Sequence, residues 1–200
     1  AATRERVVSW GGAGGRPRRA GLRVGAVFGG GMDSRRVAHD ARRFRPQAPG
    51  YVGGNETAPD YPYAAAYAEK TGYDLRLVPF DAQSKDAFDS IADVVTVTES
   101  FEPNLIRGAV ASNMAARAMH RDGFRVALCG EGADELFAGY APLAVAFNES
   151  AAAGQPVRDE CLSLMNRVSL TRVDRTSLRH SVETREPFLD RPWVVYALHL

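Results

Sequence analysis

A glycine-rich turn at residues 29–34, "GGGMDS", is the first stretch of the sequence whose residue types indicate chemistry. A short apolar run precedes it, and a stretch of helical character at residues 32–44 follows. Glycine backbone can approach an oxyanion closely, and the free N–H groups at the start of a helix attract negative charge. The turn therefore predicts a phosphate-binding loop at the end of a buried strand. Its members are Gly29, Gly30, Gly31, Asp33 and Ser34.

A second apolar run, residues 124–130, leads into two carboxylates, Glu131 and Asp134. In an open parallel sheet, ligands bind beyond the carboxyl ends of the strands, where the strand order reverses. If the two runs form neighbouring strands, Asp33 and Asp134 face each other there. One or two carboxylates plus phosphate oxygens are a common Mg²⁺ ligand set, so the pair predicts a Mg²⁺–nucleotide site. Taken alone, the glycine turn is a weak signal, and Asp33 could instead cap the helix.

Alternating strand and helix patterns as far as Tyr140 predict an α/β fold with a doubly wound parallel sheet. Beyond that residue the pattern predicts helices only, with a loop at residues 151–156. Apolar residues recur at helical spacing after this loop and are expected to be core. They are Cys161, Leu164, Met165 and Val168. The resulting division is a basic Gly/Arg-rich lead-in at 1–20, a nucleotide-binding α/β core at 21–150 and a helical part of the same domain at 151–200.

The composition is typical of a soluble globular protein, with 45% hydrophobic and 24% charged residues in a chain of 200. Every apolar run is shorter than the ~18–20 residues of a membrane span, so no membrane segment is expected. Cys129 and Cys161 have neither disulfide-framework nor metal-ligand spacing, which favours a cytoplasmic location. Arginines are concentrated in the first 45 residues, but few aromatic residues accompany them, and a nucleic-acid partner is not favoured.

Three stretches, "GGGMDS", "CGEGADELFAGY" and "DRTSLRHSVETREPFLD", together resemble the synthetase domain of the asparagine synthetase family. This carboxy-terminal, ATP-pyrophosphatase domain is also similar to the β-lactam synthetases and the lasso-peptide cyclases. The resemblance runs from about Leu22 to the end in matching order. It implies an adenine nucleotide alpha hydrolase-like fold that binds ATP and Mg²⁺. It also implies that a carboxylate, by default aspartate, is adenylated with release of pyrophosphate and then attacked by ammonia or an amine.

The resemblance also implies roles for individual residues. The turn at 29–34 matches the pyrophosphate loop, and Asp33 and Asp134 match the Mg²⁺ ligands. Glu131 matches a carboxylate that positions or deprotonates the attacking amine. Arg107 matches an arginine that would steady an anion, with a solvated helix arginine as an equal alternative. Strand-end positions would hold adenosine, largely through backbone: Phe28, Val52, Cys129 and Gly130.

Two further groups of residues lie within the same motifs. Glu183, Arg185 and Asp190 fit a buried ion-pair and turn role at least as well as a catalytic one. Nothing in the sequence marks His180 as a ligand or base.

The turn departs from the family's Ser-Gly-Gly-x-Asp-Ser-Ser pattern at Gly29 and Arg35. A lost hydroxyl removes a hydrogen bond to a charged phosphate, about 1.5–3 kcal/mol. An arginine in the first helical turn opposes the helix dipole by about 0.3–1 kcal/mol, although its guanidinium could reach the phosphates instead. We expect a loop that is altered but still binds nucleotide.

The two ends of the chain carry further expectations. The family's glutaminase domain uses an amino-terminal cysteine, whereas this chain begins Ala1–Ala2, so a glutaminase domain or subunit would be a separate partner. The family's transition-state lysine lies beyond the last motif. Lys70 and Lys85 occupy the wrong segments to replace it, so these 200 residues alone are expected to be incomplete as an enzyme.

Three alternatives to an asparagine-forming enzyme follow from the same residues. One is a specialised natural-product ligase, and another is a catalytically impaired scaffold homologue. The third, an RNA-modifying enzyme with a similar pyrophosphate loop, leaves "HSVETREPFLD" unexplained.

Overall fold

The computed structural model describes residues 21–81 and 83–200, so the predicted lead-in at 1–20 lies outside the described residues. Five short strands pair in parallel in the order β3-β2-β1-β4-β5. The strands are β1 (Arg23–Val27), β2 (Gly50–Gly54), β3 (Leu75–Pro79), β4 (Phe124–Leu128) and β5 (Glu183–Arg185).

Helices connect the first four strands and make up most of the chain after β4. Those between strands are α1 (Met32–Arg42), α2 (Tyr61–Thr71), α3 (Lys85–Thr98) and α4 (Pro103–Arg121). Those after β4 are α5 (Ala133–Phe137), α6 (Ala141–Glu149), α7 (Ala151–Met165), α8 (Ser169–Leu178) and α9 (Arg191–Leu198), with a 3₁₀ turn at Pro187–Leu189. No helix within residues 21–81 and 83–200 combines the length and apolar character needed to cross a membrane.

The strand order reverses beside β1, which lies between β2 and β4. This order confirms the predicted doubly wound α/β sheet. Ala26 of β1 is level with Gly50 of β2 and with Leu128 of β4. The carboxyl ends of β1 and β4 therefore reach the same edge of the sheet, and the chain segments that follow them must meet there.

Both faces of the central strands are buried, because side chains alternate between two hydrophobic clusters. Ala26 packs with α1 on one face, whereas the next residue, Val27, packs with α4 on the other. The α4 side of the sheet is closely packed: a Cβ at Gly25 would lie 2.9 Å from Cε of Met119. Strands buried on both faces read as continuous apolar runs, which is why β1 and β4 could be predicted from sequence.

The prediction of helices only after Tyr140 is wrong, because β5 adds residues 183–185 to the sheet. Its residues Glu183, Thr184 and Arg185 are level with Val126, Ala127 and Leu128 of β4. A three-residue strand of polar residues has no periodic signal of its own, so only its pairing with β4 defines it.

The predicted loop at 151–156 is also wrong, since these residues open α7. The Ser150 hydroxyl caps this helix by accepting a hydrogen bond from the Ala153 N–H at 3.1 Å. Pro156 lies inside the helix despite its missing N–H donor. A local cap and packing against α6 outweigh the helix-breaking residues here.

The predicted core face after this loop is only partly buried. Met165 is 5% exposed, but Leu164 is 44% exposed, and Cys161 and Val168 are intermediate. The expectation of a fully buried stripe was therefore wrong at Leu164.

Candidate active site

The loop after β1 requires glycine at its centre. Gly30 has φ +74°, and a Cβ there would overlap the carbonyl oxygen of Asp60 at the start of α2. A Cβ at Gly29 or Gly31, by contrast, would meet nothing within 4 Å. The close approach of the turn to α2 thus depends on Gly30 alone, and Gly29 has room for a side chain.

Ser34 fastens this turn to the first turn of α1. Its hydroxyl accepts a hydrogen bond from the Gly29 N–H at 3.3 Å and donates to the Gly31 carbonyl at 3.1 Å. Gly31 is the N-cap of α1 and receives no side-chain cap, so Asp33 is not the N-cap that the alternative interpretation required.

Arg35 turns back onto its own helix. Its Nε donates to the Gly31 carbonyl at 3.3 Å. The guanidinium is therefore tied beside the turn, and its reach to a phosphate stays a prediction.

The loop after β4 meets this turn directly. A Cβ at Gly130 would lie 3.0 Å from Cβ of Asp33 and 3.1 Å from the backbone nitrogen of Ser34. Gly132, with φ +92°, redirects the chain into α5, and Asp134 lies in the first turn of that helix. Glycine at 130 allows the two loops to touch, which places both predicted metal carboxylates at one opening.

A cavity of about 550 Å³ lies between these loops and two helices. The two loops and the first turns of α1 and α5 contribute Gly29, Gly31, Asp33, Ser34, Cys129, Gly130, Glu131 and Asp134, and two further helices contribute Gly108 and Ser112 of α4 and Arg172 of α8. Most of the predicted site residues are thus brought together around one space.

Several predicted residues lie elsewhere among the described positions. Phe28 is 1% exposed, with its ring against Tyr67 and Tyr73, and Val52 belongs to the same cluster. Their role in holding adenosine through backbone stays a prediction. Arg107 is exposed on α4 and is not among the residues that line the cavity in the described part of the chain.

Burial and neighbouring charge raise the pKa of both predicted metal ligands. Burial raises the pKa of Asp134, and the charge of Asp33 raises it further. Burial also raises the pKa of Asp33. Paired carboxylates that resist ionisation in this way are stabilised by a bound cation.

The residues at this site fit a Mg²⁺ ion that is bound by two carboxylates and completed by ligands from outside the protein. Within the described residues, no group of three or more His, Cys, Asp or Glu side chains forms a metal cage. Mg²⁺ commonly takes one or two carboxylates and completes its shell with waters and substrate phosphates. Asp33 and Asp134 beside the glycine-rich turn fit that ligand set.

Glu131 forms an ion pair with Arg172, an arginine that the sequence motifs did not indicate. Burial raises the pKa of Glu131, Arg172 lowers it, and the nearby Glu135 and Glu186 raise it, with a net upward shift. A partly buried carboxylate of raised pKa suits general acid–base chemistry near neutral pH.

Glu135 lines the same cavity as Glu131 and Arg172 and accepts hydrogen bonds from two hydroxyl groups. It is 3% exposed and accepts hydrogen bonds from the Tyr140 hydroxyl at 2.9 Å and, at the 3.5 Å limit, from the Ser169 hydroxyl. Burial, followed by the bond to Glu135, raises the pKa of Tyr140. Glu135 and Tyr140 lie inside "GEGADELFAGY" and could have been selected from it, whereas Arg172 comes from a helix distant in sequence.

Cys129, directly after β4, contacts residues 185 and 186 of the last motif. The Cys129 thiol faces Oε1 of Glu186 at 3.5 Å, and its N–H donates to the Arg185 carbonyl at 3.0 Å. Arg185 forms an ion pair with Glu183 at 2.9 Å, although Glu183 is 48% exposed. His180 hydrogen-bonds the buried Asn113 at 2.8 Å, consistent with a structural position.

The sheet order and the two facing loops define an α/β domain of the ATP-pyrophosphatase type. The family model for asparagine synthase matches residues 16–157, and the chain belongs to this family.

Individual relatives agree with this assignment. The chain is 27% identical over 186 residues to asparagine synthetase [glutamine-hydrolyzing] 1 of Arabidopsis thaliana, covering 88% of this chain and 31% of the plant protein. It is 28% identical to the asparagine synthetase [glutamine-hydrolyzing] of Pongo abelii, over 89% of this chain and 32% of that protein. A putative asparagine synthetase of Methanocaldococcus jannaschii is likewise 28% identical, with the same coverage. The chain thus spans about a third of the length of the curated relatives it matches.

Proposed function

We propose that this chain is the nucleotide-binding part of an ATP-dependent, amide-forming ligase. In this proposal a carboxylate, by default aspartate, attacks the α-phosphorus of ATP, and pyrophosphate leaves. Ammonia or an amine then attacks the acyl carbon, and AMP leaves. The observation that carries the proposal is the contact between the glycine-rich turn at residues 29–34 (the Gly30 turn) and the loop after β4. This contact brings the Asp33 and Asp134 carboxylates to one cavity at the switch point of the sheet.

The phosphates would lie against the turn at the start of α1. Backbone N–H groups there, together with the positive end of an 11-residue helix, favour a polyanion. Asp33 and Asp134 would hold Mg²⁺, which when bound neutralises phosphate charge. Gly29 and Gly31 line the cavity at this turn and place no side chain between the backbone and a ligand.

Glu131 would serve the second half of the reaction. The amine loses a proton when its nitrogen bonds to the acyl carbon, and a carboxylate in the same cavity can accept that proton. Its location in a partly buried, cavity-lining position supports this role.

The proposal also concerns where the attacking ammonia comes from. The plant and primate relatives are named as glutamine-hydrolysing. We propose that a glutaminase domain or subunit supplies ammonia to this chain, with free ammonium as the substitute in assays.

The test is calorimetric titration of Mg·ATP into the protein and its Asp33→Asn variant. We expect binding at least about tenfold weaker in the variant, because a lost charged contact costs about 1.5–3 kcal/mol. Asp89→Asn is the matched control, since Asp89 pairs with Lys85 on the exposed surface of α3, away from the cavity. Equal affinity of all three proteins would contradict the proposal.

A second assay measures the reaction itself. Pyrophosphate release should require Mg²⁺, ATP and a carboxylate together, and a panel of carboxylates including aspartate identifies the substrate. In the full-length protein that contains this chain, Mg·ATP binding without carboxylate-dependent release from any acid would favour the impaired homologue.

A further inference from the structure

Arg172 approaches Glu131 from a different part of the chain. It extends from α8, whereas Glu131 lies in the loop between β4 and α5. The two side chains form an ion pair at the cavity wall, where they are 21% and 20% exposed. A pair shielded to this degree is less screened than one in open solvent.

Helix α4 leaves room for this arginine at Gly108. A Cβ at position 108 would lie 2.6 Å from an Arg172 terminal nitrogen and 3.1 Å from its Cδ. Glycine within a helix is less favourable than alanine. The guanidinium therefore occupies space that this glycine provides, next to the cavity.

Arg172 differs from an arginine with a structural task. The buried Arg158 donates to the Ala197 and Leu198 carbonyls and thereby holds the end of α9. Arg172 instead donates to Glu131. Its contact is with a cavity carboxylate and not with the backbone of a neighbouring element.

The surroundings of Glu131 favour its neutral form except for this arginine. Burial, Glu135 on α5 and Glu186 after β5 all raise the pKa of Glu131, and Arg172 on α8 lowers it. The other titratable neighbours coupled to Glu131 are Cys129 after β4 and Tyr140 before α6. Removal of Arg172 leaves only influences that favour protonation among these groups.

We infer that Arg172 is a positioning residue that keeps Glu131 ionised and directed into the cavity, ready to accept the proton of the attacking amine. The catalytic half of this inference rests on the proposed function. The effect of the Arg172 ion pair on Glu131 does not depend on the proposed function, so the two parts of the inference can be tested separately.

The first experiment needs no turnover. Carboxyl-carbon NMR of ¹³C-glutamate-labelled protein follows the titration of Glu131, assigned with Glu131→Gln. We expect the pKa of Glu131 to rise in Arg172→Met and to stay near the native value in Arg172→Lys. Gly108→Ala, which displaces the guanidinium without removing it, should raise the pKa as well and replaces Arg172→Met if that variant fails to fold.

The second experiment measures amide formation from ATP, aspartate and ammonium against pH, in the full-length protein that contains this chain. The acidic limb of kcat/KM for ammonium should move to higher pH in Arg172→Met, with about a tenfold to hundredfold loss at the acidic end, since general-base catalysis contributes about 10²–10⁴-fold. Arg172→Lys should restore the profile. Arg175→Met is the control on the same helix, because Arg175 pairs with Glu99 at 3.8 Å outside the cavity.

Hydroxylamine separates the base role from adenylation. It is a stronger nucleophile than ammonia and less dependent on a base, so Arg172→Met should retain most of its activity with it. An unchanged Glu131 titration in both Arg172→Met and Gly108→Ala would overturn the inference. If the full-length protein that contains this chain forms no product but shows the expected titration shifts, the proposed function is refuted and the effect of Arg172 on the pKa of Glu131 still stands.

Discussion

Gly29→Ser should tighten Mg·ATP or pyrophosphate binding. Gly29 lines the cavity, and a Cβ at this position would meet nothing within 4 Å. Its φ lies outside the left-handed region, so a serine is accommodated without backbone strain. The substitution therefore adds a hydroxyl beside the phosphate position at little structural cost.

The magnitude follows from one hydrogen bond to a charged group. Such a bond contributes about 1.5–3 kcal/mol, which is roughly tenfold to a hundredfold in the dissociation constant. The existing bond from the Gly29 N–H to the Ser34 hydroxyl, at 3.3 Å, uses the backbone and leaves the new side chain free to face the ligand.

Calorimetric titration of Mg·ATP into three variants isolates the hydroxyl. Gly29→Ala provides the same Cβ without the oxygen and should bind like the native protein. Gly30→Ala should bind poorly or fold poorly, because its Cβ would overlap the Asp60 carbonyl. Equal affinity of Gly29→Ser and Gly29→Ala would show that no phosphate lies at this turn and would refute the reasoning.

Two further predictions concern stability. Arg158→Met should lower the free energy of unfolding by about 1–3 kcal/mol in urea titration, because the Ala197 and Leu198 carbonyls lose their buried donor; a loss no larger than that of Arg175→Met would contradict the assigned role. The pKa of Asp122 is held below its usual value, chiefly by the Tyr51 hydroxyl at 2.6 Å and also by Arg76 at 2.8 Å. This stabilisation is present above the ordinary carboxylate pKa of about 3.9 and is lost as pH falls through the lowered value. Asp122→Asn should therefore lower Tm near neutral pH and make Tm less dependent on pH in the acid range; a parallel Tm profile in the two proteins would exclude this contribution.

The central sheet and the two loops could be predicted because local sequence determines them. Strands β1 and β4 are buried on both faces and read as apolar runs, and a glycine, Gly29 or Gly130, lies two residues after each. Gly30 and Gly130 are needed for close approach, so the residue type carries the structural information directly.

Other features depend on contacts that a linear pattern does not contain. The three residues of β5 become a strand only by pairing with β4, and Ser150 caps a helix whose first residues suggested a loop. Arg172 reaches Glu131 because α8 packs against α4 beside Gly108. Its position is a property of tertiary packing, and its residue type alone gave no signal.

The central claim is that Asp33 and Asp134 hold one Mg²⁺ ion on a nucleotide bound at the Gly30 turn. A double-mutant cycle tests it most directly, with Mg·ATP affinity measured for Asp33→Asn, Asp134→Asn and the double variant. If both carboxylates bind one ion, each single substitution lowers Mg·ATP affinity strongly. The double variant then binds Mg·ATP only slightly less tightly than the single variant of lower affinity. Losses in binding free energy that simply add, or single variants that bind like the native protein, would contradict the shared site.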